Sequence, residues 1–131
     1  MHEWALAEAV ILSAKTFSKK NGINKIREIG ISLGELQQVD GEVFNFALKE
    51  IMNTENLDFK VVVRKKKAVL RCKKCGREWN YDPESMDEME KESIHFVPEV
   101  AHNYIKCPGC GSPDFKIKEG RGVWLDYVRG D

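Results

Sequence analysis

The sequence predicts an α+β protein in which two helices pack on a small mixed sheet of about three strands, with a cysteine-rich domain inserted in the chain. Three patterns support this prediction. Apolar residues recur every three or four positions near residues 4–20 and 40–53, and they alternate with polar residues in three shorter segments. Four cysteines occur as two Cys-x-x-Cys pairs between the second and third of those segments.

The two predicted helices are defined by their apolar spacing and their end signals. The first begins almost at residue 1 and stops at Asn21-Gly22. Its predicted apolar stripe comprises Trp4, Leu6, Ala9, Val10, Ser13 and Phe17. Asp40 is the expected N-cap of the second helix, which ends near Asn53. The second stripe comprises Val43, Phe44, Ala47, Leu48, Ile51 and Met52.

Three segments show the period-two alternation of half-buried strands. The residues that share one face of each segment are Ile29, Ile31 and Leu33, then Phe59, Val61 and Val63, then Val123, Leu125 and Tyr127. The third segment follows a glycine-containing turn at residues 120–122, so the C-terminal strand can return to the first domain. We therefore expect a first domain at residues 1–70 plus 119–131, and a second at 71–118 that contains an acidic insert at 80–105.

Length and charge bound the class of protein. With 131 residues, 21 basic and 21 acidic, the chain is too short for a large multidomain enzyme and lacks the basic excess of a nucleic-acid coat protein. No apolar run approaches the length of a membrane span, and Glu3 and Glu8 interrupt the stretch that a signal peptide would need. We expect a cytoplasmic protein, in which paired cysteines are more often metal ligands than disulfides.

The cysteines form two Cys-x-x-Cys-Gly knuckles, a spacing that places two thiolates of each tight turn at adjacent corners of a tetrahedron. The predicted ligands are Cys72, Cys75, Cys107 and Cys110. Four thiolates close the coordination shell, which predicts a structural zinc ion in a zinc-ribbon-like domain and leaves no position for catalytic water. An iron site of the same geometry is the alternative. The 31 residues between the pairs exceed the spacing of a minimal ribbon and indicate an insertion.

The amino terminus, Met1-His2-Glu3, offers a second set of metal donors. The terminal amine, the amide nitrogen of His2 and its imidazole can bind one metal in a plane. Planar nitrogen coordination favours nickel(II) or copper(II) over zinc. The arrangement requires a free amine at Met1. The alternative interpretation is that His2 is merely a frayed terminal residue.

Two further histidines lie in the insert. His95 belongs to an apolar stretch bounded by Pro98, which could present its imidazole from an extended segment that leaves the acidic insert. We expect His102, seven residues later, to be an ordinary surface or core histidine.

A cluster of basic residues offers an alternative function, that of a nucleic-acid-binding zinc ribbon. The cluster comprises Arg64, Lys65, Lys66, Lys67, Arg71, Lys73, Lys74 and Arg77. The balanced net charge and the acidic insert count against phosphate contacts, so we favour a solvated face that offsets the negative zinc-thiolate centre. Because the cysteines saturate their metal and the sequence contains no phosphate loop or nucleophile motif, we expect no enzymatic activity.

Four motifs together are specific. MHEWALAEAV begins the chain, LGELQQV occupies residues 33–39, the two Cys-x-x-Cys pairs follow, and GRGVW occupies residues 120–124. With this set the chain resembles the HypA/HybF family of hydrogenase nickel-incorporation proteins over nearly its whole length, and its long insert is similar to that of the archaeal members.

This resemblance implies a nickel metallochaperone with a nickel-binding α/β domain and a zinc domain. Its implied partners are the large subunit of a nickel-iron hydrogenase and an accessory ATPase or GTPase of hydrogenase maturation, for which the basic cluster offers a docking surface. His2 and the Met1 amine are the implied nickel ligands, Glu3 borders the site, and His95 joins when a partner engages. Structural zinc is then the cofactor and nickel(II) the reversible cargo.

Overall fold

The computed structural model describes residues 2–37 and 39–131, apart from the side chains of Gln37, Pro83 and Pro98. Three helices and two three-stranded sheets in this part of the chain confirm the α+β prediction. In chain order they are α1 (Glu3–Lys20), β1 (Ile26–Gly34), α2 (Gly41–Thr54), β2 (Lys60–Lys66), β3 (Val69–Cys72), β4 (Glu78–Asn80), α3 (Glu88–Phe96), β5 (Phe115–Glu119) and β6 (Val123–Gly130).

The chain divides into two compact units. The first unit comprises Met1–Leu33, Val39–Arg64 and Val123–Asp131, and the second comprises Gly34–Gln38 and Lys65–Gly122. The second unit therefore takes in residues 34–38, 65–70 and 119–122, which the sequence analysis assigned to the first domain.

The first unit is a sheet of order β2-β1-β6 covered by α1 and α2. β1 and β6 are antiparallel, with Ile29 opposite Val128 and Ile31 opposite Leu125. Ile29, Ile31 and Leu33 are at most 3% exposed, which confirms the alternation predicted for β1. Phe59, Val61 and Val63 pack against the same core.

The two helices differ in how well their buried faces were predicted. On α1 the buried residues are Glu3, Ala7, Val10, Ile11, Ala14 and Ser18. The predicted stripe is therefore right for Val10, which is buried, and for Leu6, which packs against the core, but wrong for its other four members, which are exposed. Trp4 and Phe17 are 44% and 45% exposed, because the small side chains of Ala7 and Ala14 form the face in contact with the core. On α2 the buried residues Phe44, Ala47 and Leu48 follow the prediction, although Val43 is 40% exposed.

The second unit is a sheet of order β4-β3-β5, antiparallel throughout, with its own core. The buried core residues are Leu36, Ala68, Leu70, Tyr81, Ile94, Ala101 and Phe115. The short segment after β1 belongs to this core: the Glu35 carboxylate accepts the backbone N–H of Ala68 at 2.9 Å, and the N–H of Leu36 donates to the Gly120 carbonyl at 3.1 Å.

The acidic insert contains a short helix, α3. A capping box begins it, because the Asp87 carboxylate accepts the N–H of Glu90 and the Glu90 carboxylate accepts the N–H of Asp87. The extended presentation predicted for His95 is wrong, since His95 lies in the last turn of α3 and is 8% exposed. Only Val97, the residue before Pro98, has extended backbone, because proline disfavours helical geometry in the residue that precedes it; a 3-10 helix follows at Pro98–Asn103.

No helix in the described ranges combines the length and the apolar character required to cross a bilayer.

Candidate metal centres

The two cysteine knuckles are tight turns that each close on a glycine. The N–H of Gly76 donates to the Cys72 carbonyl at 3.0 Å, and the N–H of Gly111 donates to the Cys107 carbonyl at 2.8 Å. Both glycines have positive φ, +81° and +76°, a conformation that other residues adopt only at a cost. The glycines therefore allow each Cys-x-x-Cys segment to bring its two sulfur atoms to one side of the turn.

The structure brings all four predicted ligands together. The sulfur atoms of Cys72, Cys75, Cys107 and Cys110 lie within 4.8 Å of one another. The Sγ atoms of Cys72 and Cys110 are 3.5 Å apart, and those of Cys75 and Cys107 are 3.6 Å apart. A zinc tetrahedron with 2.3 Å bonds has edges of about 3.8 Å, so the cluster has the size and the donor set that structural zinc requires.

Backbone amides prepare the sulfur atoms for a cation. Hydrogen bonds from the backbone N–H of Cys110 and, more weakly, of Gly109 lower the pKa of the Cys107 thiol to about 6. Burial acts in the opposite direction but does not outweigh them. The N–H of Cys75 likewise lowers the pKa of Cys72. For Cys75 the lowering by the N–H of Arg77 is outweighed by the hydrogen bond with Cys107 and by burial, which raise its pKa to about 11. Metal binding must therefore displace protons from this cluster.

Several basic residues form exposed ion pairs within their own unit. Lys118 pairs with Glu78 at 2.9 Å, and Lys73 lies 3.8 Å from Asp114. The Lys118 ammonium lowers the pKa of the Glu78 carboxyl, and the charges of Arg71 and Lys116 contribute. Exposed pairs of this kind add little to stability. All eight residues of the basic cluster defined in the sequence are exposed, so they form a solvated surface.

The described part of the amino terminus places His2 at the start of α1. His2 is the exposed N-cap residue, and its carbonyl accepts the N–H of Leu6 at 2.9 Å. Amides at the start of a helix have no intrahelical acceptor, so the helix does not occupy the His2 amide nitrogen. Met1, the other predicted nickel ligand, lies outside the described residues.

Glu3 connects the first turn of α1 to the start of α2. Glu3 is buried, with 4% of its surface exposed. Its carboxylate accepts a hydrogen bond from the backbone N–H of Asp40 at 3.1 Å. Asp40 is in turn the predicted N-cap, because its carboxylate accepts the N–H groups of Glu42 and Val43 at 3.0 and 3.2 Å. Burial alone would raise the pKa of Glu3, but the hydrogen bond from Asp40 helps to lower it below its usual value.

This lowered pKa predicts a pH-dependent contribution of Glu3 to stability. The carboxylate should stabilise the first unit fully above the unfolded-state pKa, roughly 4.3, and lose that effect as the pH falls through the lower folded-state pKa. We expect Glu3→Gln to cost about 1–2 kcal/mol at pH 7, because a charge-assisted hydrogen bond becomes a neutral one. Urea unfolding at pH 7 and below pH 4 measures the difference, which should shrink in acid. Glu8→Gln, a substitution at an exposed position of the same helix, is the control. An equal loss of unfolding free energy in Glu8→Gln would contradict the role of Glu3.

The two remaining histidines have different environments. The ring centroids of His102 and Phe115 are 4.2 Å apart, and the Nδ1 atom of His102 lies 2.9 Å from the Pro113 carbonyl oxygen. His102 therefore has the packing role expected of an ordinary histidine. The rings of His95 and Phe96 meet edge to face, with their centroids 5.3 Å apart. His95 belongs to the second unit, whereas His2 belongs to the first. Over residues 2–37 and 39–131, the cysteine cluster is the one group of three or more His, Cys, Asp or Glu side chains placed to hold a metal.

Comparisons with known proteins agree with this architecture. The family model described as hydrogenase/urease nickel incorporation, metallochaperone, hypA matches residues 1–129. The hydrogenase maturation factor HypA of Pyrococcus abyssi is 44% identical, over 98% of this chain and 95% of that protein. That of Thermococcus sibiricus is 41% identical over 98% and 96%. The solution structure of the Ni metallochaperone HypA from Helicobacter pylori has the same fold, with a TM-score of 0.63, 19% identity and coverage of 99% and 97%.

Fold and site together define a small two-unit α+β protein with a four-cysteine structural metal site. The chain belongs to the HypA family of hydrogenase/urease nickel-incorporation metallochaperones. This membership confirms the resemblance seen in the sequence motifs, and it supports nickel handling in hydrogenase maturation rather than the nucleic-acid alternative.

Proposed function

We propose that this chain binds nickel(II) through the amine of Met1 and the amide and imidazole nitrogens of His2, and releases it during maturation of a nickel-iron hydrogenase. The observation that carries the proposal is the position of His2. Its side chain is exposed at the start of α1, and its amide nitrogen is not needed by the helix. Three nitrogen donors from one chain end suit the planar coordination of nickel(II).

The surroundings of His2 support reversible binding. The hydrogen bond between Glu3 and the Asp40 N–H holds the first turn of α1 against the start of α2, which limits the movement of the donors. The Glu3 carboxylate also offsets the positive end of the α1 dipole, which would otherwise disfavour a cation. A site with three donors keeps one position open for a ligand from the acceptor.

We assign zinc to Cys72, Cys75, Cys107 and Cys110, whose sulfur atoms have the spacing of a closed tetrahedral site. When bound, zinc supplies structural cross-linking and no chemistry on a substrate. The knuckle residues of this chain supply the backbone N–H groups that point at the sulfur atoms. Because the four thiolates leave no open position on the zinc, we propose a carrier without enzymatic activity. We further propose that it works in the cytoplasm.

The proposed partners are an accessory ATPase or GTPase of hydrogenase maturation and the hydrogenase large subunit. Partner engagement supplies His95 as an additional nickel donor. Because His95 is buried at the end of α3, this step requires the insert to open. A two-state insert of this kind would couple partner binding to nickel affinity. A His95→Ala protein that kept its full partner-dependent affinity would remove this step.

Calorimetric titration of the untagged, zinc-loaded protein with nickel(II) tests the proposal. We expect one nickel per chain, with binding lost in His2→Ala and in a variant with two residues added before Met1. Protons compete for the same nitrogen donors, so the affinity should fall as the pH is lowered.

His102→Ala is the matched control, because His102 packs on Phe115 and its loss should leave nickel binding unchanged. Intact-mass measurement establishes whether the purified chain begins at Met1. Unchanged binding in both amino-terminal variants would exclude the chelate.

A further inference from the structure

An apolar groove lies between α1 and α2 on the surface of the first unit. Trp4 and Leu12 from α1 and Ile51 from α2 line it, and its volume is about 580 Å³. Phe46 borders the groove: its ring meets that of Trp4 edge to face, with the ring centroids 6.1 Å apart. Leu12, Phe46 and Trp4 are 64%, 58% and 44% exposed. Grouped apolar exposure of this kind marks interaction surfaces.

Carboxylates line the same groove. Glu8 lies between Trp4 and Leu12 on α1, Glu50 lies on α2, and Glu55 is the residue that follows α2. Lys15 neutralises Glu55 through an ion pair of 2.7 Å. Within the part of the chain that the structure describes, Glu8 and Glu50 form no ion pair, so an occupant meets two free negative charges beside an apolar floor.

We propose that this groove binds a basic amphipathic helix of a partner protein. Trp4 and Lys15 are eleven residues apart on α1, which corresponds to about 16 Å, or three turns of an occupying helix. Such a helix presents apolar anchors at positions i, i+3 or i+4, and i+7 to Trp4, Leu12 and Ile51. Lysine or arginine residues flanking those anchors face Glu8 and Glu50, and this charge complementarity orients the occupant.

Charge also argues against a second copy of this chain as the occupant. A two-fold dimer through this face would place the same patch of each copy against the other. That interface would then enclose four unpaired carboxylates, Glu8 and Glu50 of each copy. Like charges within an interface are costly, whereas a basic partner replaces that repulsion with attraction.

The groove does not depend on nickel binding, so the two proposals can fail separately. It does begin at Trp4, two residues after His2. An occupant would therefore lie beside the proposed nickel donors, and the groove would bring a partner to the end of the helix from which the metal leaves.

The test uses the full-length, zinc-loaded, nickel-free protein and a fourteen-residue leucine/lysine peptide designed as an amphipathic helix. We expect saturable chemical-shift changes in amides of α1 and α2 around the groove. Leu12→Gln should weaken binding roughly tenfold, because it replaces an apolar anchor with a polar, uncharged side chain. Joint Glu8→Gln and Glu50→Gln substitution should weaken it about fivefold and reduce its salt dependence.

Met89→Glu is the control, because Met89 is 76% exposed on α3 in the other unit and its change should leave affinity unaltered. A matched leucine/glutamate peptide should bind more weakly than the lysine peptide. Shifts confined to the acidic insert, unchanged affinity in both groove variants, or no binding would overturn the proposal. Dimerisation of the protein that Leu12→Gln abolishes in sedimentation experiments would also overturn it, in favour of a second copy.

Discussion

Removal of the metal from the four-cysteine site is expected to unfold the second unit at 25 °C. The core of that unit is small, since its buried members are Leu36, Ala68, Leu70, Tyr81, Ile94, Ala101 and Phe115. Cores of this size rarely support a fold without a metal or disulfides. Structural zinc contributes about 10–16 kcal/mol of apparent binding free energy in small zinc domains. The loss therefore exceeds what the apolar contacts can replace.

Two treatments measure this effect. Chelation of the metal in the whole protein, or Cys107→Ser, should collapse the dispersion of backbone amide signals over residues 65–122. Signals of α1, α2 and β1 should remain dispersed, because their core is separate. Lys74→Ala is the control within the first knuckle, since Lys74 is exposed and is not a ligand. Native-like dispersion over 65–122 in zinc-free protein would show that the metal is dispensable.

Gly120→Ala is expected to destabilise the second unit strongly. Gly120 has a φ of +92°, and a Cβ placed there would overlap the Ala68 backbone, with its nitrogen only 2.7 Å away. The unfavourable φ costs roughly 1–2 kcal/mol, and overpacking against backbone adds about 1–3 kcal/mol. Displacement of Gly120 also disturbs the hydrogen bond from the Leu36 N–H to its carbonyl.

Gly22→Ala separates these two costs. Gly22 also has a positive φ, +70°, but a Cβ there would meet no atom within 4 Å. It should therefore lose only the conformational part, roughly 1–2 kcal/mol. Amide hydrogen exchange, measured separately in the two units, gives both free energies. Equal losses would show that Ala68 moves aside easily and that the close approach at Gly120 is unimportant.

The sequence was sufficient wherever a feature depends on local spacing. The cysteine cluster follows from two knuckles with fixed turn geometry, and the Asp40 cap follows from the preference of a short carboxylate for helix starts. The buried face of β1 follows from strict alternation at Ile29 and Ile31. In each case the residues that decide the structure are neighbours along the chain.

The wrong or missing predictions concern packing between distant segments and the position at which α3 ends. The α1 stripe was misplaced because Ala7 and Ala14 give a weak hydrophobic signal, yet they are the residues that fit closely against the core. His95 was assigned to extended backbone because the sequence does not show that α3 continues to Phe96. The Glu3–Asp40 hydrogen bond joins residues 37 positions apart, and no periodic pattern indicates it.

The division of the chain into interleaved segments has a consequence for synthesis. Each unit is assembled from separate stretches, and β6, at residues 123–130, completes the sheet of the unit that begins with α1. During translation, the unit carrying His2 therefore cannot close until the ribosome has made the cysteine domain as well. A chain interrupted after the second knuckle would lack the strand that pairs with β1. Completion of the first unit therefore requires that the cysteine domain has already been synthesised.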